Sequence, residues 1–146
     1  QIPVSLAQAW EFFFFFFNLA AITPENMDFK IICAHHGGKM YAGQLIEYKV
    51  KPLWGIPVYW MTEITQVKEL SYFIDEQRFG PYRLWHHQHH FREIPGGVEM
   101  TDIVHYKLKF GLPGRLINQW MVARKLRDIF TYRRKKVAEL FGKLEP

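Results

Sequence analysis

Between Tyr72 and Lys109 the chain sets residues capable of chemistry at alternate positions: Asp75 and Gln77, then His87 and His89, then Asp102. Side chains two apart on a strand share a face, so the task is to decide which face is inner. In residues 72–79 one set holds Phe73, Asp75, Gln77 and Phe79, and the other holds Tyr72, Ile74 and the ion-pair-ready Glu76 and Arg78. The first set is the inner one. The following run divides Trp85, His87, His89 and Phe91 from His86, Gln88, His90 and Arg92, and aromatic content again selects the former. Residues 98–109 divide Met100, Asp102, Val104, Tyr106 and Leu108 from a set crowded with charge, which turns Asp102 inward. Aromatic rings, imidazoles, carboxylates and an amide on one interior face describe the lining of a pocket for an organic ligand.

Three kinds of chemistry fit these residues. Each imidazole can be held by a carboxylate, by Gln77 or by a tyrosine hydroxyl in a buried network, since buried polar groups need partners. A ligand can be recognised through that network. His87 and His89 with Asp75 and Asp102 also have the residue types of a metal site, but the spacing alone is weak evidence, and neither a metal nor a cofactor is assigned. A catalytic reading makes His87, His89 and Asp102 the candidate acid–base groups of a cyclase or hydrolase. No serine or cysteine nucleophile stands in a recognisable motif, and binding without turnover is the favoured reading. His86, His90 and His105 are expected on the outer surface, and His35-His36 in a turn.

The elements that must position these residues follow from periodicity. Gln1 to Val4 reads as the end of a first strand, and Ser5 as the N-cap of a short helix with Leu6, Ala9, Trp10 and Phe13 at helical spacing. Phe12 to Phe17 are six consecutive phenylalanines, which match neither a strand nor a helix period and would put rings on every side of a helix. Asn18 to Ile22 makes a second helical turn that Thr23-Pro24 stops. Strands are expected over 29–34, 41–50, 58–70, 71–79, 84–94 and 98–109, with Phe29, Ile31 and Cys33 on one face of the first. Tyr48, Trp60, Thr62 and Ile64 point inward, and Pro52 to Pro57 and Pro95-Gly96-Gly97 form turns. After Phe110 to Gly114, a helix runs from Arg115 to about Phe141, its apolar stripe made of Leu116, Trp120, Ala123, Ile129, Phe130, Val137 and Leu140. The order is that of an α+β domain whose antiparallel sheet curls round a long C-terminal helix.

Composition sets the outer bounds. At 146 residues the chain is one domain, and hydrophobic content of 49% with 17% aromatic suits either a core or a large cavity. The formal charge of +5 is concentrated in the last third, from Arg115 to Lys136, where a solvated helix face is the expectation and nucleic acid is not an expected partner. An interaction module using that basic helix is a third class of function. A single cysteine, Cys33, excludes an internal disulfide and a cysteine-rich zinc site, and fits a reduced cytoplasmic setting. No stretch of eighteen apolar residues is present, and the absence of an initiator Met implies that a few residues precede Gln1.

Several segments together resemble the helix-grip ligand-binding superfamily, which includes steroidogenic-acute-regulatory-transfer-like (START-like) proteins, polyketide cyclases and birch-pollen-allergen-like proteins, and within it an uncharacterised bacterial group. The carrying residues are Trp10 with Phe12 and Phe13, Asn18-Leu19 to Ile22-Thr23-Pro24, Ile46-x-Tyr48 leading to Pro52, and Trp60-x-Thr62-x-Ile64. They continue with Phe73-x-Asp75-x-Gln77 and Gly80-Pro81, Trp85-x-His87-x-His89-x-Phe91, and Asp102-x-Val104-x-Tyr106 before Phe110-Gly111. The resemblance spans nearly the whole chain and departs at Phe14 to Phe17, where relatives have a small or polar break, often with proline. It implies a helix-grip fold: about seven antiparallel strands around the C-terminal helix, two short helices after the first strand, and a hydrophobic cavity between sheet and helix. It also implies a carrier or sensor of a small hydrophobic molecule, whether lipid, polyketide, isoprenoid or aromatic, acting as a monomer or weak homodimer.

The expected ligand-binding residues are Tyr48, Trp60, Thr62, Phe73, Asp75, Gln77, Trp85, His87, His89, Phe91, Asp102, Tyr106, Trp120 and Phe130. The expected cavity is at least the roughly 300 Å³ of ordinary ligand sites. Gly111, Pro113 and Gly114 are expected to let the first turn of the last helix, around Leu116 and Trp120, act as a lid. Entry would then lie between that turn, residues 52–57 and Gly80.

Overall fold

The computed structural model describes residues 1–34, 38–51, 55–109 and 115–144, without the side chains of residues 33, 34 and 115–118. The expected turn at His35-His36, the start of the loop at Pro52, the break from Phe110 to Gly114, and the faces assigned to Cys33 and Leu116 lie outside the described residues.

Helix α1 spans Leu6–Phe13 and begins in a capping box. The Ser5 hydroxyl accepts from the Gln8 amide at 3.2 Å, and the Gln8 side chain accepts from the Ser5 amide at 3.0 Å, which satisfies two amides that a helix start leaves open. Ala9, Trp10 and Phe13 form its buried face. The six phenylalanines are accommodated by breaking the helix inside the run: Phe14 caps α1, Phe15 is extended, and a 3-10 helix runs over Phe16–Ile22. Phe13 and Phe16 therefore turn inward, while Phe14 stacks on Trp10 at 4.7 Å and Phe12 meets Phe141 edge-on at 4.9 Å. Thr23 leaves the helical region ahead of Pro24, and a further 3-10 turn, unmarked in the sequence pattern, covers Glu25–Met27.

Six strands form one antiparallel sheet in chain order: β1 (Lys30–Ala34), β2 (Leu45–Val50), β3 (Val58–Lys68), β4 (Tyr72–Phe79), β5 (Tyr82–Ile94) and β6 (Gly97–Leu108). The expected seventh strand is absent among the described residues. The N-terminal segment supplies a single bridge, in which Ile2 and Val98 exchange two backbone hydrogen bonds of 3.0 Å. Pro3 has no N–H to extend the ladder, and Ser5 already starts α1. Between β5 and β6, Gly96 takes the positive φ of 80° that the second corner of a type II turn needs after proline. Gly97, expected in that turn, instead pairs with Ile94.

The assigned inner faces hold in β2 and β3, where Ile46, Val50, Trp60, Thr62 and Ile64 are buried. Phe79 does not follow them and is exposed. A bulge shifts the register between Met61 and Thr62, so Phe79 pairs with Met61 rather than with an inward residue, and its ring meets Tyr59 at 5.5 Å on the outside.

Helix α2 spans Arg115–Phe141 as the pattern predicts, but its buried face is rotated from the expected stripe. Val122 and Val137 are buried, Leu126 and Ile129 pack with Trp60, Tyr82 and Trp85, and Phe141 packs against α1. Trp120 is 59% exposed and Leu140 is also exposed. Residues 122, 126, 129, 133 and 137 recur at helical spacing, and Trp120 and Leu140 fall off that line. No described helix is long and apolar enough to cross a membrane.

Candidate functional site

Strand register builds the polar cluster. Asp75 on β4 pairs with His87 on β5, and His89 pairs with Asp102 on β6, so two carboxylates flank two imidazoles across three adjacent strands. Each carboxylate also reaches the imidazole of the other pair. His87 Nδ1 lies 3.3 Å and His89 Nε2 2.8 Å from Asp75 Oδ2, while His87 Nε2 lies 2.9 Å and His89 Nδ1 3.0 Å from Asp102 Oδ1. All four ring nitrogens face a carboxylate oxygen.

The cluster is walled by rings. Phe73 stacks on His89 at 4.1 Å, Phe130 of α2 meets His87 edge-on at 5.6 Å, and the two imidazole centroids are 3.8 Å apart. Burial opposes the charge on Asp75, yet the charge of His87 and hydrogen bonds from both imidazoles outweigh it and hold the carboxyl well below its ordinary 3.8. Asp102 is likewise opposed by burial and held low by hydrogen bonds from His87 and His89, with the nearby charges of His89 and Arg133 adding. Burial pulls His87 down, but the charge of Asp75 and the contacts to both carboxylates prevail and raise it above 6.5.

Beside the cluster lies a cavity of about 150 Å³ between the sheet and α2. Tyr48, Trp60, Thr62, Phe73, Trp85 and Phe130 line it, and Asp75, His87, His89 and Arg133 give it one polar end. It is half the expected minimum. Phe12, Phe13 and Phe16 also form its wall, so rings from the phenylalanine run take up space. On the neighbouring strands Thr62 Oγ1 accepts from Trp60 Nε1 at 3.1 Å and lies 3.0 Å from the Tyr48 hydroxyl. Burial, with the Asp75 charge adding, pushes the Tyr48 phenol up and keeps it neutral.

Five of the expected ligand-binding residues are not in the cavity wall. Gln77 belongs to the turn rather than the cluster: its amide donates to the Tyr82 carbonyl at 2.8 Å and accepts from the Tyr82 N–H at 3.0 Å, closing the loop at Gly80-Pro81. Phe91 is buried in the core with Trp10, Phe13 and Phe73. Tyr106 packs against Tyr82 at 6.0 Å. Trp120 projects outward with Arg124 5.7 Å from its ring. Asp102 is not in the cavity wall; it holds the imidazoles from behind, with its side chain 26% exposed because β6 is an edge strand.

The residue that sequence reasoning missed is Arg133. Its side chain is only 14% exposed, its guanidinium lies 5.2 Å from the Phe130 ring, and one nitrogen is 3.9 Å from Asp102 Oδ1. Its Nε is buried without a partner. The available signal was position, because Arg133 lies four residues after Ile129 and four before Val137 on the buried line of α2. Lys125 and Tyr82 also line the cavity.

Several solved structures share this fold. Protein Ms6760 from Mycobacterium smegmatis aligns with a TM-score of 0.69 at 16% identity, covering 95% of this chain and 85% of that one. TTHA0849 from Thermus thermophilus gives 0.67 at 14% identity over 94% and 90%, and protein CV1439 from Chromobacterium violaceum gives 0.68 at 11% over 99% and 94%. At such identities the likeness is one of fold. No protein-family model matches the chain, and no curated protein sequence does either.

Proposed function

We propose that this chain is a helix-grip ligand-binding protein that holds a small hydrophobic molecule between sheet and C-terminal helix, as a carrier or sensor. The observation that carries the reading is a largely apolar cavity with one polar end, lined there by Asp75, His87, His89 and Arg133. A ligand oxygen at that end would accept a charge-assisted hydrogen bond from the Arg133 guanidinium. The ligand that fits has a compact apolar body and an acceptor at one end. A cavity of about 150 Å³ is the size that takes a benzene-sized molecule, so a single-ring aromatic or a short isoprenoid fits as it stands. A sterol or a long polyketide requires α2 to move outward.

Acid–base catalysis fits less well. All four ring nitrogens of His87 and His89 already face carboxylate oxygens, so a substrate proton would have to displace one of these contacts to reach a ring nitrogen. Native mass spectrometry of the protein purified from its own host tests the binding reading. The expected result is a retained small apolar mass, displaced by single-ring carboxylates or ketones with a change in Trp60 and Trp85 fluorescence. No retained mass together with no response to a panel of such compounds would overturn it.

A further inference from the structure

We infer that Asp75, His87 and His89 form a binding site for one divalent first-row transition-metal ion, with Asp102 orienting both imidazoles from behind. The site opens into the cavity proposed for the organic ligand but rests on the carboxylate–imidazole geometry rather than on that reading. One ligand-capable atom from each of the three lies within 4.8 Å of the others, and the arrangement has a front and a back. At the back, His87 Nε2 and His89 Nδ1 converge on the same oxygen, Asp102 Oδ1, at 2.9 and 3.0 Å. At the front, His87 Nδ1 and His89 Nε2 converge on Asp75 Oδ2 at 3.3 and 2.8 Å.

A neutral imidazole has one N–H and one lone pair. If both rings donate to Asp102, both lone pairs face a carboxylate oxygen at the front, and that contact repels unless a cation lies between. Two added protons could supply it, but would leave two imidazolium rings 3.8 Å apart. One divalent ion satisfies both lone pairs and the carboxylate together. Donor atoms about 2.1 Å from an ion stand about 3.0 to 3.4 Å apart at angles of 90° to 109°, close to the two nitrogen–oxygen distances at the front.

Two imidazoles and one carboxylate on one side of an ion, each imidazole held behind by a second carboxylate, is the donor set that suits iron, cobalt, nickel or zinc. Asp75, His87 and His89 all line the cavity, so the remaining coordination positions open into it. Asp75, Asp102 and Arg133 together carry one net negative charge; the ion reverses that sign and prepares the cavity for an anionic oxygen.

The test uses the whole chain, stripped with a chelator and titrated with Co2+ alone, followed by visible absorption and calorimetry. Saturation at one ion per chain is expected, with proton release and tighter binding as pH rises. The seven histidines of the chain allow a clean control. A variant carrying His35→Asn, His36→Asn, His86→Asn, His90→Asn and His105→Asn should still bind one ion. Asp102→Asn should weaken binding by about 10- to 100-fold, and His89→Ala by more. Where a variant fails to fold, X-ray absorption of the Zn2+-loaded wild type decides, with two imidazoles and oxygen expected around the ion. No saturation at one ion, loss of binding in the five-histidine variant, or a zinc sphere without two imidazoles would each overturn the site.

Discussion

His87 and His89 stand with ring centroids 3.8 Å apart and both rings between the carboxylates of Asp75 and Asp102. Two full charges about 4 Å apart repel by about 4 kcal/mol at an effective dielectric constant of about 20. Contacts to the flanking carboxylates hold the two rings at this spacing.

Stability should therefore depend on pH from both directions. Asp75 and Asp102 are held below their ordinary 3.8, so their contribution is present above that value and is lost as pH falls through their lower folded values. His87 is raised above 6.5, so its contribution is complete below 6.5 and is lost as pH rises through the folded value. Thermal unfolding of the chelator-stripped chain should show its highest midpoint between pH 4 and 6.5. In His87→Gln the alkaline decline should flatten, and an unchanged slope there would contradict the assignment.

Arg133→Met should separate the two halves of the ligand. Loss of one charge-assisted hydrogen bond weakens an acceptor-bearing ring by about 10- to 100-fold, while a hydrocarbon ring of the same size should bind about as before. Titration calorimetry with a matched pair, such as benzoate and benzene, makes the comparison. Equal losses for both would place Arg133 in packing alone.

The phenylalanine run should be sharply uneven. Phe16 is 1% exposed and Phe17 48%, so Phe16→Ala should cost about 3–5 kcal/mol and Phe17→Ala only about 0.5 kcal/mol in chemical denaturation. Similar costs at the two positions would show that the helix break at Phe14–Phe15 is misplaced.

Helix α2 should be looser at its start. Trp120 is exposed, whereas Val122, Leu126, Ile129 and Val137 pack inward. Amides of residues 119–121 should exchange faster than those of 126–137, and should slow when a ligand fills the cavity. Uniform protection, unchanged by a ligand known to bind, would argue against a lid.

Alternation along a strand made much of this site legible. Glu76 and Arg78 against Phe73 and Asp75, and the charge on one side of residues 98–109, were enough to turn Asp75, His87, His89 and Asp102 inward, because a period of two leaves only one choice of face. The same rule failed at Phe79, where a bulge opposite Met61 adds a residue that no local pattern announces. The span of α2 followed from an uninterrupted run without proline or glycine. Its buried line did not, since Trp120 and Leu140 are apolar but unburied and Arg133 is charged but enclosed. Which helix face meets the sheet depends on crossing geometry rather than on composition.

The sequence by itself determined six strands, the first short helix and the long C-terminal helix in their order, and the inward side of Asp75, His87, His89 and Asp102, because propensity and periodicity act over a few neighbouring residues. Only the tertiary structure decided that Asp75 Oδ2 and Asp102 Oδ1 each meet both imidazoles, that Gln77 belongs to a turn, and that Arg133 closes the polar end of the cavity. Those facts depend on register across three strands and on the placement of Arg133, more than thirty residues beyond Asp102 on the following helix. Contacts of that kind are set by the packing of the whole chain, and no local stretch of residues encodes them.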